Sequence, residues 1–116
     1  MMRQSAIYVA WKGAMHMTRE EIEIGVITDF FRKICVAAVK IHPSQTLKVG
    51  DRICIKGPHT YIEQTVESLE VNHQAVAEVG GGSEVGLLVT VPETEGEEWP
   101  SNIPREGNAV FKIREG

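Results

Sequence analysis

Cysteine and aromatic side chains are scarce in this sequence of 116 residues, which holds two cysteines, two tryptophans, two tyrosines and three phenylalanines. Two cysteines, Cys35 and Cys54, make no disulfide framework and fit a reducing compartment in which both stay thiols. Neither they nor His42, His59 and His73 fall into Cys-x-x-Cys or His-x-x-x-His spacing, so no metal is expected. A long apolar run is also missing. Residues 6–11 end at Lys12, far short of the ~20 residues a bilayer crossing needs, and they lack the cleavage site of a signal peptide. The cytoplasm is the expected compartment, with no membrane partner.

Catalytic signatures are missing as well. The run Gly80-Gly81-Gly82-Ser83 has neither the Lys nor the following helix of a phosphate-cradling loop. Ser83 is not in a nucleophile elbow, because Val85 stands where the second glycine belongs. Glu67 and Glu70 fall on opposite faces of a strand, and Glu97 and Glu98 lie in a polar segment, so no carboxylate pair is set for acid–base work. No cofactor and no nucleotide are expected, and the chain reads as a non-enzyme. A residual enzymatic reading would require Glu70, His73 and Cys54 to share a pocket with a depressed thiol pKa.

What the sequence does contain is period-two alternation. At 42% hydrophobic and 24% charged residues, the chain has the composition and length of one ordinary globular domain. Ile22, Ile24, Val26, Thr28 and Phe30 alternate with more polar neighbours, which predicts a strand over 21–31. Further strands are predicted over 34–41, 52–56, 64–71 (with a bulge near Ser68), 84–91 and 109–113, with 73–79 read as a loop or one helical turn. Six short strands with turn punctuation point to an all-β, six-stranded antiparallel barrel of Greek-key type. Residues 1–17 read as a disordered leader or an added edge strand, with Met15 and Met17 as alternative starts. Residues 18–116 form the barrel domain, and 92–104, rich in Pro and Glu, reads as a surface insertion.

Charge is unevenly placed. Between Arg32 and His59 stand six basic residues, Arg32, Lys33, Lys40, Lys48, Arg52 and Lys56, against Asp51 alone, whereas eleven glutamates follow Thr60. The net charge of −4 excludes indiscriminate nucleic-acid binding, but the basic stretch leaves room for a phosphate-facing patch.

Three ordered motifs carry a family resemblance: Leu47-Lys48-Val49-Gly50-Asp51-Arg52, then Val66-Glu67-Ser68-Leu69-Glu70, then Gly82-Ser83-Glu84-Val85-Gly86-Leu87. Their order resembles domain 2 of the translation elongation factors, the barrel that follows the GTPase domain in elongation factor Tu. The runs 24–31 and 57–64 are similar to small translation elongation factor-like proteins and to the barrel appended to collagenase-like peptidases. The resemblance implies a pocket for the aminoacyl end of tRNA, built from Glu70, Asn72 and His73 and the loop before Val85. Glu70 matches an acidic member of that pocket, while Asn72, His73 and Glu84 stand where the family has His, Arg and Asn.

Two functions are therefore expected. In the first, the barrel is a translation accessory that binds tRNA or ribosomal RNA through Arg32, Lys33, Lys40, Lys48, Arg52, Lys56, Glu70, Asn72 and His73, with its acidic half facing away. Phe30, Phe31 and Tyr61 are the candidate stacking residues. In the second it is a protein-docking module for a translation or peptidase-like partner, with Trp99 as the apolar anchor.

Overall fold

Alternating burial decides the strands. A computed structural model describes residues 19–90 and 102–115 and is all-β, with ten strands among those residues. They are β1 (Arg19–Phe31), β2 (Val36–Ile41), β3 (Leu47–Lys48), β4 (Arg52–Gly57), β5 (Thr60–Thr65), β6 (Leu69–Val71), β7 (Gln74–Val76), β8 (Glu78–Val79), β9 (Glu84–Leu88) and β10 (Ala109–Glu115). Eight form one antiparallel sheet in the order β5-β4-β10-β1-β2-β9-β6-β7, and β3 and β8 form a separate two-stranded ribbon.

The sheet curls around one core. Ile62 of β5, at one end of the order, belongs to the same apolar cluster as Leu87 of β9 and Leu69 of β6 near the other end. Ile24, Ile27, Val39, Ile53, Ile55 and Val110 fill the space between them, each almost fully removed from water. Burial of such branched side chains in close packing is the main stabilising force of a barrel this size. No backbone ladder joins the two ends among the described residues; the barrel is left open, and the Gln64 side chain spans the gap. It donates to Leu88 O at 3.0 Å and accepts from Thr90 N at 2.8 Å.

The all-β antiparallel expectation holds, but in place of a six-stranded barrel there are ten strands among the described residues, eight of them in one sheet that curls without closing, and several strand boundaries differ. The strand expected over 64–71 is two strands, β5 and β6, separated by 66–68, so there is no bulge at Ser68. The register shifts instead lie in β1, between Glu23 and Gly25 against β10 and between Ile27 and Asp29 against β2. Residues 73–79, expected to be a loop or helical turn, supply β7 and β8. Cys35 is outside β2, in a turn with φ of 55°. Of the insertion expected at 92–104, Asn102 and Ile103 bind β5: Tyr61 N donates to Asn102 Oδ1 at 2.7 Å, and Thr60 Oγ1 donates to Ile103 O at 2.8 Å. Residues 1–17 and residues 92–101 of that insertion, Trp99 among them, lie outside the described residues. Among the described residues no helix is long and apolar enough to cross a membrane.

Candidate functional site on the outer face of the barrel

Four strands turn their outward side chains toward one cleft. Along β2 and β9, Val36, Ala38, Glu84 and Gly86 take alternate positions opposite the buried Ala37, Val39, Val85 and Leu87. The β1 register shift adds Thr28 as an extra residue beside Asp29, a β-bulge that aims two side chains at the same face. With Phe31 at the end of β1, Ile34 from the β1–β2 turn and Glu70, Asn72 and His73 from the β6–β7 hairpin, they line a cleft of about 540 Å³.

Its chemistry is mixed. Thr28 Oγ1 donates to Glu84 Oε2 at 2.7 Å, and Asp29 Oδ1 accepts from Phe30 N at 2.8 Å. The Glu70 carboxylate has no hydrogen bond or ion pair among the described residues and is exposed. Phe31 and Ile34 are 48% and 63% exposed, unusual for large apolar side chains on a small domain. The hairpin tip is Asn72-His73, a two-residue turn with φ of 52° and 65°. Positive φ at both positions is the turn that matches strand twist, and it favours Asn first and Gly second. His73 therefore occupies a position that glycine would fill with less strain.

The structure brings Glu70, Asn72 and His73 together, but it scatters the six cations. Arg32 and Lys33 are exposed between the lining residues Phe31 and Ile34, and Lys40 is exposed on the outer face of β2, two residues from Ala38. These three and Lys48, which sits on the separate ribbon, make no ion pair among the described residues. Arg52 and Lys56 instead belong to a network on another part of the barrel. Arg52 Nη2 is 3.4 Å from Glu63 Oε2, Lys56 Nζ is 2.5 Å from Glu21 Oε1, and Arg19 Nη2 is 2.8 Å from Glu63 Oε1. The hydrogen bond from Arg19, aided by Tyr61, holds the Glu63 carboxyl below the usual carboxylate range despite desolvation. Lys56 also lies 5.2 Å from the Phe111 ring centroid and 5.9 Å from that of Tyr61. The expectation that the acidic half faces away from the basic stretch fails here, because Glu63 on β5 is hydrogen-bonded next to Arg52 on β4.

Other readings are corrected in the same way. Cys54 is on β4, fully buried, burial pushes its thiol pKa up rather than down, and it is not among the residues that line the cleft with Glu70 and His73. Of the three stacking candidates, Phe31 lines the cleft, Phe30 packs against the core, and Tyr61 donates its hydroxyl to Glu63 at 3.1 Å. Sequence reasoning missed Thr28, Asp29, Ile34 and Gly86. For Gly86 a signal was present: a glycine in mid-strand commonly marks a close approach.

No family model matches the chain. It is 31% identical over 96 residues to an uncharacterized protease of Methanocaldococcus jannaschii; the match covers 82% of this chain but 20% of that protein. The chain thus spans about a fifth of the length of the curated relative it matches. Among solved structures it is similar to the C-terminal domain of a putative U32 peptidase from Geobacillus thermoleovorans, with a TM-score of 0.60, 16% identity, and coverage of 79% of this chain and 91% of that one. The selenomethionine variant of the same domain gives a TM-score of 0.59 at 15% identity, covering 76% and 95%. At that identity the likeness establishes the fold. These matches lie on the peptidase side of the expected resemblance and lend no support to the side of elongation factor domain 2.

Proposed function

We propose that this chain is a non-catalytic binding module that holds single-stranded RNA, of transfer or ribosomal origin, in the outer-face cleft. The observation that carries this reading is a cleft whose lining joins rings to polar side chains, with exposed cations in the segments that flank it rather than in the lining itself. Phe31 and His73 offer rings for base stacking, Asn72 and Glu70 offer polar atoms for base edges, and Arg32, Lys33 and Lys40 are cations with no carboxylate partner among the described residues. Single-stranded RNA is read by this combination of stacking, edge contacts and backbone charge. Arg52, Lys56 and Lys48 drop out of the interface, two because they are already paired and one because it lies on the ribbon. Fluorescence anisotropy with a labelled oligouridylate tests the reading: Arg32→Gln with Lys33→Gln should weaken binding, and added salt should weaken the parent chain more than the variant.

A second reading rests on the similarity to a 20% segment of a protease and to a C-terminal domain of a putative peptidase. In it the barrel docks onto a peptidase-like or translation partner, with Phe31, Ile34 and Leu88 as the exposed apolar anchors. Trp99, the anchor expected from the sequence, remains part of this reading as a proposal. Purification of the tagged chain with and without RNase separates the two: an RNA-independent, salt-tolerant protein complex supports docking.

A further inference from the structure

Opposite charges stand on opposite walls of the cleft and do not meet. One wall is Phe31 at the end of β1 with the turn residues Arg32, Lys33 and Ile34, all four exposed, and its two cations make no ion pair among the described residues. The other wall, on β6 and β9, presents the exposed carboxylates of Glu70 and Glu84. Glu84 accepts a hydrogen bond from Thr28 and stands opposite Lys40 in the β2–β9 ladder without an ion pair to it. Asp29 adds a third carboxylate, and the lining holds neither lysine nor arginine.

An apolar row runs along the foot of the turn. Phe31 is opposite Val36 in the β1–β2 register, and Val36 is opposite Leu88 in the β2–β9 register, so the three stand side by side with Ile34 next to them. Phe31, Ile34 and Leu88 are open to water, and a contiguous apolar patch of this kind marks an interaction surface. A surface that covers it must itself be apolar, with cations placed to meet Glu70 and Glu84 and carboxylates placed to meet Arg32 and Lys33. The cleft face has both sets on its own two walls. We infer that this face is a self-complementary interface between two copies of the chain, in which Arg32 and Lys33 of each copy lie against Glu70 and Glu84 of the other and the apolar rows cover one another. Such a contact is reciprocal and closes at two copies. The inference goes beyond the RNA reading and does not rest on it: pairing closes the cleft, so RNA and a second copy compete for one face.

Sedimentation velocity of the full chain without RNA, from micromolar to millimolar concentration, tests this. The parent chain should shift from one copy to two as concentration rises, and added salt should weaken the association. Arg32→Glu with Lys33→Glu, and separately Glu70→Lys with Glu84→Lys, should each weaken it by roughly tenfold or more, because like charges then face each other. An equimolar mixture of the two double variants should regain the association of the parent, since both contacts again join opposite charges, and that recovery requires both variants to be folded. Ile34→Ser, with an unchanged circular dichroism spectrum, should weaken association without altering any charge. A parent that stays a single copy throughout, a mixture no more associated than its separate components, or association that none of the variants weakens would overturn the inference. Oligouridylate binding by the parent is a separate measurement, so the RNA reading stands or falls independently.

Discussion

Gln64 on β5 and Thr90 just past β9 are joined by a 2.8 Å hydrogen bond, and the same amide group of Gln64 donates to Leu88 O at 3.0 Å. One side chain thereby does at the seam what a backbone ladder does between the other strands. Being nearly fully buried, it makes these bonds in a low-dielectric setting, where an unmet polar group is costly. The open edge of the sheet is also a place where other strands could pair.

Replacing Gln64 by Ala should therefore destabilise the fold by about 1–3 kcal/mol, since the carbonyl of Leu88 and the amide of Thr90 lose a buried partner. Urea unfolding of the two proteins measures this, and an unchanged midpoint would show that water replaces the amide without loss.

Acid stability should depend on Glu63. In the fold, Arg19 keeps this carboxyl below its ordinary range, whereas in the unfolded chain it titrates normally. Its contribution is therefore complete above the ordinary carboxylate range and is lost as the pH falls through that range toward the lower folded value. Glu63→Gln should be less stable than the parent at pH 7, and the gap should close on acidification. Thermal melts between pH 7 and pH 3 provide the check.

The two thiols should differ in reactivity. Cys54 is buried with its pKa raised by desolvation, while Cys35 is half-buried in the β1–β2 turn. A thiol reagent at neutral pH should modify Cys35 in the native protein and reach Cys54 only after unfolding. Mass spectrometry of a timed reaction distinguishes the sites.

Relief of the hairpin strain gives a prediction that separates stability from binding. His73→Gly should stabilise the protein by about 1 kcal/mol, because glycine meets the positive φ without steric cost. The same change should weaken RNA binding by removing a ring from the cleft. Paired unfolding and anisotropy measurements test both halves.

The alternation of Ile22, Ile24 and Phe30 and the glycine- and proline-marked turns made the all-β class and most strands legible in the sequence. β5 was not, and the reason is physical. Its inward positions are Thr60, Ile62 and Gln64, two of them polar. They are tolerated inside because Ile103 O, Leu88 O and Thr90 N satisfy them, and those partners are distant in sequence. β7 and β8, three and two residues long, are too short to show a period. Ile34 and Cys35 read as strand because they are apolar, yet the turn at 32–35 leaves Ile34 exposed. Within the site, the grouping of Glu70, Asn72 and His73 was legible through family resemblance. The rest of the lining was not, because it depends on which residues of β2 and β6 stand beside Gly86.

Cleft occupancy by RNA is tested most directly by amide chemical shifts of the labelled chain during titration with oligouridylate at low and high salt. The account predicts salt-sensitive shifts concentrated at 31–36, 70–73 and Gly86, with those of Arg52, Tyr61 and Glu63 unmoved. Shifts centred on the Arg19–Glu63–Arg52 network, or none at saturating RNA, would contradict it.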